Sequence, residues 1–148
     1  MQEKHIFKER EYNLPVAEMW LKWTTSNGLR SFFGADNKME LKVGASFEIY
    51  FMLDAPEGSR GSEGCKVLSF LPEKMFSFSW NAPPHLKEIR SSTHQTCVVI
   101  LFEKTGATKT KISLYHHDWK TGGEWDECFD YFDKAWDVVL DWLEKSIG

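Results

Sequence analysis

Thr121–Lys145 reads TGGEWDECFDYFDKAWDVVLDWLEK, and its period is helical. Stepping about 100° per residue puts Asp126, Asp130, Asp133, Asp137, Asp141 and Glu144 in one narrow stripe. Trp125, Cys128, Phe129, Phe132, Trp136, Val139, Leu140 and Leu143 lie opposite. A helix this long and this amphipathic must lay its apolar face on something large. Thr121 and Glu124 have the spacing of a capping box, which predicts a start there and an end near Lys145. The acidic stripe is read as a solvated face. Tyr131, Ala135, Val138 and Trp142 widen the apolar arc beyond what one sheet face needs. Either loops and other helices cover this flank, or it is a subunit interface and the chain a homodimer.

The partner for that helix comes from the strands before it. His5–Tyr12 reads as a first strand, with Ile6, Lys8, Arg10 and Tyr12 on one face. Pro15 opens a helix carrying Val16, Met19, Trp20 and Trp23, and Asn27-Gly28 is read as its break. Leu29–Phe33 is a second short helix closed by Gly34. A short strand carries Met39 and Leu41. Ala45–Leu53 alternates, with Phe47, Ile49, Phe51 and Leu53 on one face. Gly64–Phe70 is the next strand. In Met75–Trp80 the rings of Phe76, Phe78 and Trp80 face inward, and Ser77 and Ser79 face water. A long loop from Pro83 to Thr93 precedes a hairpin of Gln95–Glu103 and Thr108–Asp118. This order predicts an α+β domain spanning residues 1–148: a curved antiparallel sheet of about seven strands around a long C-terminal helix, with two short helices between strands one and two.

Composition narrows the function. Seven Trp and eleven Phe are a large apolar supply for 148 residues, so some rings are expected to line a cavity or an interface. A net charge of −4 with scattered Lys and Arg argues against nucleic acid as a partner. No apolar stretch approaches the roughly 20 residues that span a bilayer, so no membrane partner is expected. Met1–Glu11 is charged rather than apolar, and a cytoplasmic protein is expected. Cys65, Cys97 and Cys128 are odd in number and widely spaced, which suits reduced thiols rather than disulfides or a zinc site.

Several segments carry a family resemblance. Leu14-Pro15-x-x-x-Met19-Trp20 followed by Thr24 resembles the Ala-Pro-x-x-x-Val-Trp…Thr opening of homologues of the heat-shock-protein-90 ATPase activator. So do Val43-Gly44-Ala45-Ser46-Phe47 and Gly64…Val67-Leu68…Pro72…Met75…Phe78-x-Trp80. Thr110-x-Ile112-x-Leu114-x-His116 and Ala135-Trp136-x-x-x-Leu140-x-x-Leu143 complete the set, although Ala135 stands where the family has Gly. That family belongs to the START-like, or SRPBCC, superfamily. The resemblance implies a helix-grip fold with an internal cavity between sheet and helix. Cavities of this superfamily hold lipids, sterols, polyketides or plant hormones, and some members are cyclases.

Candidate chemistry is sparse. Strand neighbours His116 and His117 point to opposite faces and cannot share a metal, so no metal and no cofactor are expected. Alternation with Ile112 and Leu114 turns His116 inward, as a core histidine or a ligand contact. His85 and His94 flank the long loop and are read as surface residues. Phe51, Phe76, Phe78, Trp80, His116, Trp125, Phe129 and Phe132 are the candidate ligand-binding residues. The first reading is a non-enzymatic domain that binds a small apolar molecule. A protein-interaction module and a cyclase-like enzyme using His116 stay open. No phosphate loop, nucleophile elbow or zinc motif appears, and no residue is assigned as catalytic.

Overall fold

A computed structural model describes residues 4–147. The order is β1 (Ile6–Tyr12), α1 (Val16–Thr24), α2 (Ser26–Arg30), β2 (Asp36–Met39), β3 (Phe47–Tyr50), β4 (Val67–Leu71), β5 (Met75–Trp80), α3 (Lys87–Arg90), β6 (Thr96–Gly106), β7 (Lys109–His117) and α4 (Glu124–Ile147). Five strands form an antiparallel sheet in the order β1-β7-β6-β5-β4, and β2 pairs with β3. Bridges from Ser46 to Lys66 and from Tyr50 to Gly61 tie that pair to the segment leading into β4. The expected strands are therefore present as a five-stranded sheet continued by a two-stranded one. The fold is α+β with the helix-grip arrangement. The ends of the domain expected over residues 1–148 lie outside the described residues.

The core forms where three sources of apolar side chains meet. Phe76, Phe78, Val98, Ile100, Ile112 and Leu114 come from the sheet, and Met19, Trp20 and Trp23 from α1. Phe132, Trp136, Val139, Leu140 and Leu143 come from α4 and are all buried. Tyr12 adds a polar tie, its hydroxyl donating to the Leu140 carbonyl at 2.9 Å.

The acidic stripe of α4 is not a bare solvated face. Lys8 and Arg10, on the inward side of β1, reach Asp133, Asp137 and Asp141, and Lys4 reaches Asp126. Edge-strand cations and helix anions thus lock the first strand to the last helix. The carboxylates remain about half exposed, so each pair contributes only roughly 0.2–1 kcal/mol.

Local spacing misleads at four further places. The capping box does not form: α4 starts at Glu124, whose carboxylate accepts from the Ile89 N–H at 3.1 Å. A partner in α3 outcompetes the expected local one. Asn27-Gly28 does not break a helix but lies inside α2. The alternation of 45–53 stops at Tyr50, because the N–H groups of Phe51 and Met52 both turn to the Arg60 carbonyl. Phe51 and Leu53 consequently leave the inward face and are exposed. Ser77 and Ser79 are buried rather than wet. A bulge in β4 brings Ser69 Oγ within 2.7 Å of Ser77 Oγ, and Ser79 Oγ accepts from the Lys66 N–H.

Candidate functional site

The centre of the molecule is a pile of aromatic rings between β5 and α4. Trp80 stands 5.5 Å from Trp136 and 5.7 Å from Phe33, and Phe33 stands 5.9 Å from Trp136, centroid to centroid. Phe78 and Phe132 meet Trp80 edge-on. At this level the space between sheet and helix is filled by rings. The open volume lies beside them, along the flank of α4.

That volume is a groove of about 730 Å³. Phe33, Trp80, Phe132 and Trp136 line its inner side, Phe51 one edge, and Tyr131, Ala135, Val138, Val139 and Trp142 the helix side. His85, Glu127, Asp130 and Lys134 stand around it. The flank predicted to be either covered or an interface is open: Tyr131 is 45% exposed, Val138 46% and Trp142 38%. A smaller depression of about 190 Å³ adjoins it between the 51–61 and 81–84 segments. The two share Phe51, Trp80, Tyr131 and Phe132. Another hollow, of about 570 Å³ beside Tyr12, Lys109 and Glu144, has walls as polar as they are apolar.

Arg90 at the end of α3 orders the outer wall. Its guanidinium donates to the carbonyls of Gly58, Gly61 and Ala82 and pairs with Glu63 at 3.2 Å. Burial works against the charge of Glu63, but the N–H groups of Arg60, Gly61 and Gly58 outweigh it and hold its carboxyl below the usual range.

The eight candidate residues divide into three groups. Phe51, Trp80 and Phe132 meet at the groove. Phe76, Phe78 and His116 are buried in the core behind it. Trp125 and Phe129 lie elsewhere on α4, Trp125 against His94 and Phe129 against Trp119. Sequence reasoning placed Trp142, Val138 and Tyr131 on a flank but did not connect them with a groove. It missed Phe33, which has no periodic signal in the turn before Gly34 (φ +84°).

His116 is 0% exposed and fully engaged. The Trp136 indole N–H donates to its Nδ1 at 2.9 Å. Thr96 Oγ1 donates to the Trp80 carbonyl and therefore accepts from His116 Nε2 at 2.6 Å. The proton is thus on Nε2, and neither nitrogen is left for a substrate. Burial holds the imidazole well below its ordinary pKa, with a lesser contribution from His117. The thiols carry no activation either: burial pushes Cys65 and Cys128 up to about 12, and Cys97 is raised by burial and Asp118. Among the described residues no group of three or more His, Cys, Asp or Glu side chains can hold a metal ion. No helix among them is long and apolar enough to cross a membrane.

A family model described as Activator of Hsp90 ATPase homolog 1-like protein matches residues 13–148. The chain belongs to this family. No curated protein matches it. Among solved structures it is similar to protein MLL2253 from Mesorhizobium loti, at 17% identity and a TM-score of 0.74, covering 97% of this chain and 96% of that one. It is similar also to protein NE0264 from Nitrosomonas europaea, at 19% identity and a TM-score of 0.73, covering 97% and 93%. The Aha1 dimer from Colwellia psychrerythraea is similar at 16% identity and a TM-score of 0.69, covering 97% and 95%. These likenesses show the shared fold. Family membership supports a ligand-binding or interaction module.

Proposed function

We propose that this domain is a non-enzymatic binder of a small hydrophobic molecule, held in the apolar groove along α4. The groove itself carries the reading: its volume of about 730 Å³ is in the range of ligand sites, and its walls are chiefly aromatic and aliphatic. The site is displaced from the internal cavity expected between sheet and helix, because Phe33, Trp80 and Trp136 occupy that space. The engaged state of His116 favours binding over turnover. The cysteines, free in this structure, suit a reducing, cytoplasmic setting.

Titration with the neutral fluorescent probe Nile red tests the reading. The native protein is expected to bind it saturably. Val138→Arg, which places a charge on an exposed groove position, is expected to weaken binding roughly tenfold, or about 1.4 kcal/mol. Unsaturable binding, or equal binding by the variant, overturns the proposal.

A second reading uses the same flank as an interface between two copies of the chain. The exposed Tyr131, Val138 and Trp142 favour it, and so does the dimer named for the Colwellia protein.

A further inference from the structure

Trp80 stands where the two depressions meet, and it is 4% exposed. Its indole N–H is buried and finds no acceptor in the protein. An N–H left in this condition has lost its bond to water and gained none in return. Neighbouring tryptophans are not treated so. Trp136 gives its N–H to His116 Nδ1, and Trp119 gives its own to the His116 carbonyl, each at 2.9 Å. Trp23 has an unpaired N–H as well, but it lines neither depression. Trp80 carries the one buried indole N–H without an acceptor that borders the groove among the described residues.

We infer that the groove is shaped for a flat, neutral apolar molecule carrying one hydrogen-bond acceptor, such as a ketone or quinone oxygen, and that the Trp80 N–H recognises that oxygen. The inference rests on the small-ligand reading above. Three observations give the ligand its character. The rings of Phe33, Phe132 and Trp136 around Trp80, with Trp142 farther along the groove wall, favour a flat guest, which stacks on aromatic faces. Glu127 and Asp130 flank the groove against a single Lys134, which disfavours a carboxylate ligand. The N–H is buried, so an acceptor reaches it only where part of the shared wall turns aside. Phe51, exposed on the irregular segment after β3 and bordering both depressions, is the wall residue we assign to this movement. An acceptor reaching the donor then replaces an unmade hydrogen bond with a made one, whereas a pure hydrocarbon leaves it unmade.

Fluorene and 9-fluorenone share one flat skeleton and differ only in a CH₂ against a C=O, so they isolate the acceptor. The native protein is expected to bind fluorenone roughly 3- to 10-fold tighter than fluorene. Trp80→Phe keeps a ring and removes the donor, and is expected to bring the ratio close to about 1. In the native protein labelled with ¹⁵N, the Trp80 indole cross-peak is expected to move downfield with fluorenone and not with fluorene, while the Trp23 peak stays. That spectrum decides the matter even where Trp80→Phe fails to fold. Equal affinity for the two probes, a ratio that survives Trp80→Phe, or an unmoved Trp80 peak overturns the inference and leaves the groove reading intact. Binding of neither probe removes both.

Discussion

His116 shows how a residue that invites a catalytic reading is consumed by structure. It completes one hydrogen-bonded chain through four elements, from the Trp136 N–H through both ring nitrogens to Thr96 and on to the Trp80 carbonyl. Burial keeps the ring neutral in the folded state, whereas the unfolded chain takes up a proton as pH falls through about 6.5. Below that value the unfolded state binds more protons, so stability declines as pH falls, by up to about 1.4 kcal/mol per unit. Urea midpoints measured from pH 7 to pH 5 are expected to show this loss. It should be largely absent in His116→Gln, whose amide can both donate and accept. Equal declines in the two proteins would remove the assignment. Glu63 and Asp36, held below the usual carboxylate range, act at lower pH and do not blur this window. The inward turn of His116 was legible from Ile112 and Leu114, because strand parity is local. Its engagement with Trp136 was not, because that contact depends on how α4 crosses the sheet.

At the scale of elements, the long helix and the strand order could be read from periodicity, whereas junctions could not. Asn27-Gly28 illustrates the reason. A glycine reads as a breaker, yet Gly28 lies in α2 where that helix crosses α1, and a Cβ there would come within 2.0 Å of the Leu21 carbonyl oxygen. Gly→Ala inside a helix ordinarily adds up to about 1 kcal/mol of stability. Here the sign is expected to reverse: Gly28→Ala should lower stability by roughly 1–3 kcal/mol in denaturant unfolding, through steric displacement of α1. A variant as stable as the native protein would show that the helices separate without cost. Glu124 teaches the same lesson at the start of α4. Its spacing from Thr121 suits a cap, but the Ile89 N–H, 35 residues away in sequence, holds it instead. Phe51, left in a strand by its alternation, became a groove wall because the backbone turned toward Arg60. Both departures depend on distant backbone groups, which leave no mark on local pattern.

For the whole molecule, a small ligand and a second copy of the chain would cover the same surface at α4. With a small ligand as occupant, sedimentation across a range of concentrations is expected to give the 17.2 kDa of one chain. A doubled mass that returns to the single value in Trp142→Glu would make the subunit interface the correct reading. The width of the apolar arc was visible from sequence, since it needs only helical spacing. That the arc forms a groove was not, since the groove also needs Phe33, Phe51 and Trp80 from three other parts of the chain. One further property follows from the lock between β1 and α4. Tyr12 bonds Leu140 across 128 positions, and Arg10 bonds Asp141 across 131. During synthesis the first strand therefore emerges long before the helix that fastens it, and before β7, its neighbour in the sheet. Until then the nascent chain carries a strand edge with Ile6 and Tyr12 unsheltered. Closure awaits the emergence of α4, so a pause before that point leaves β1 exposed to proteases and to pairing with other chains.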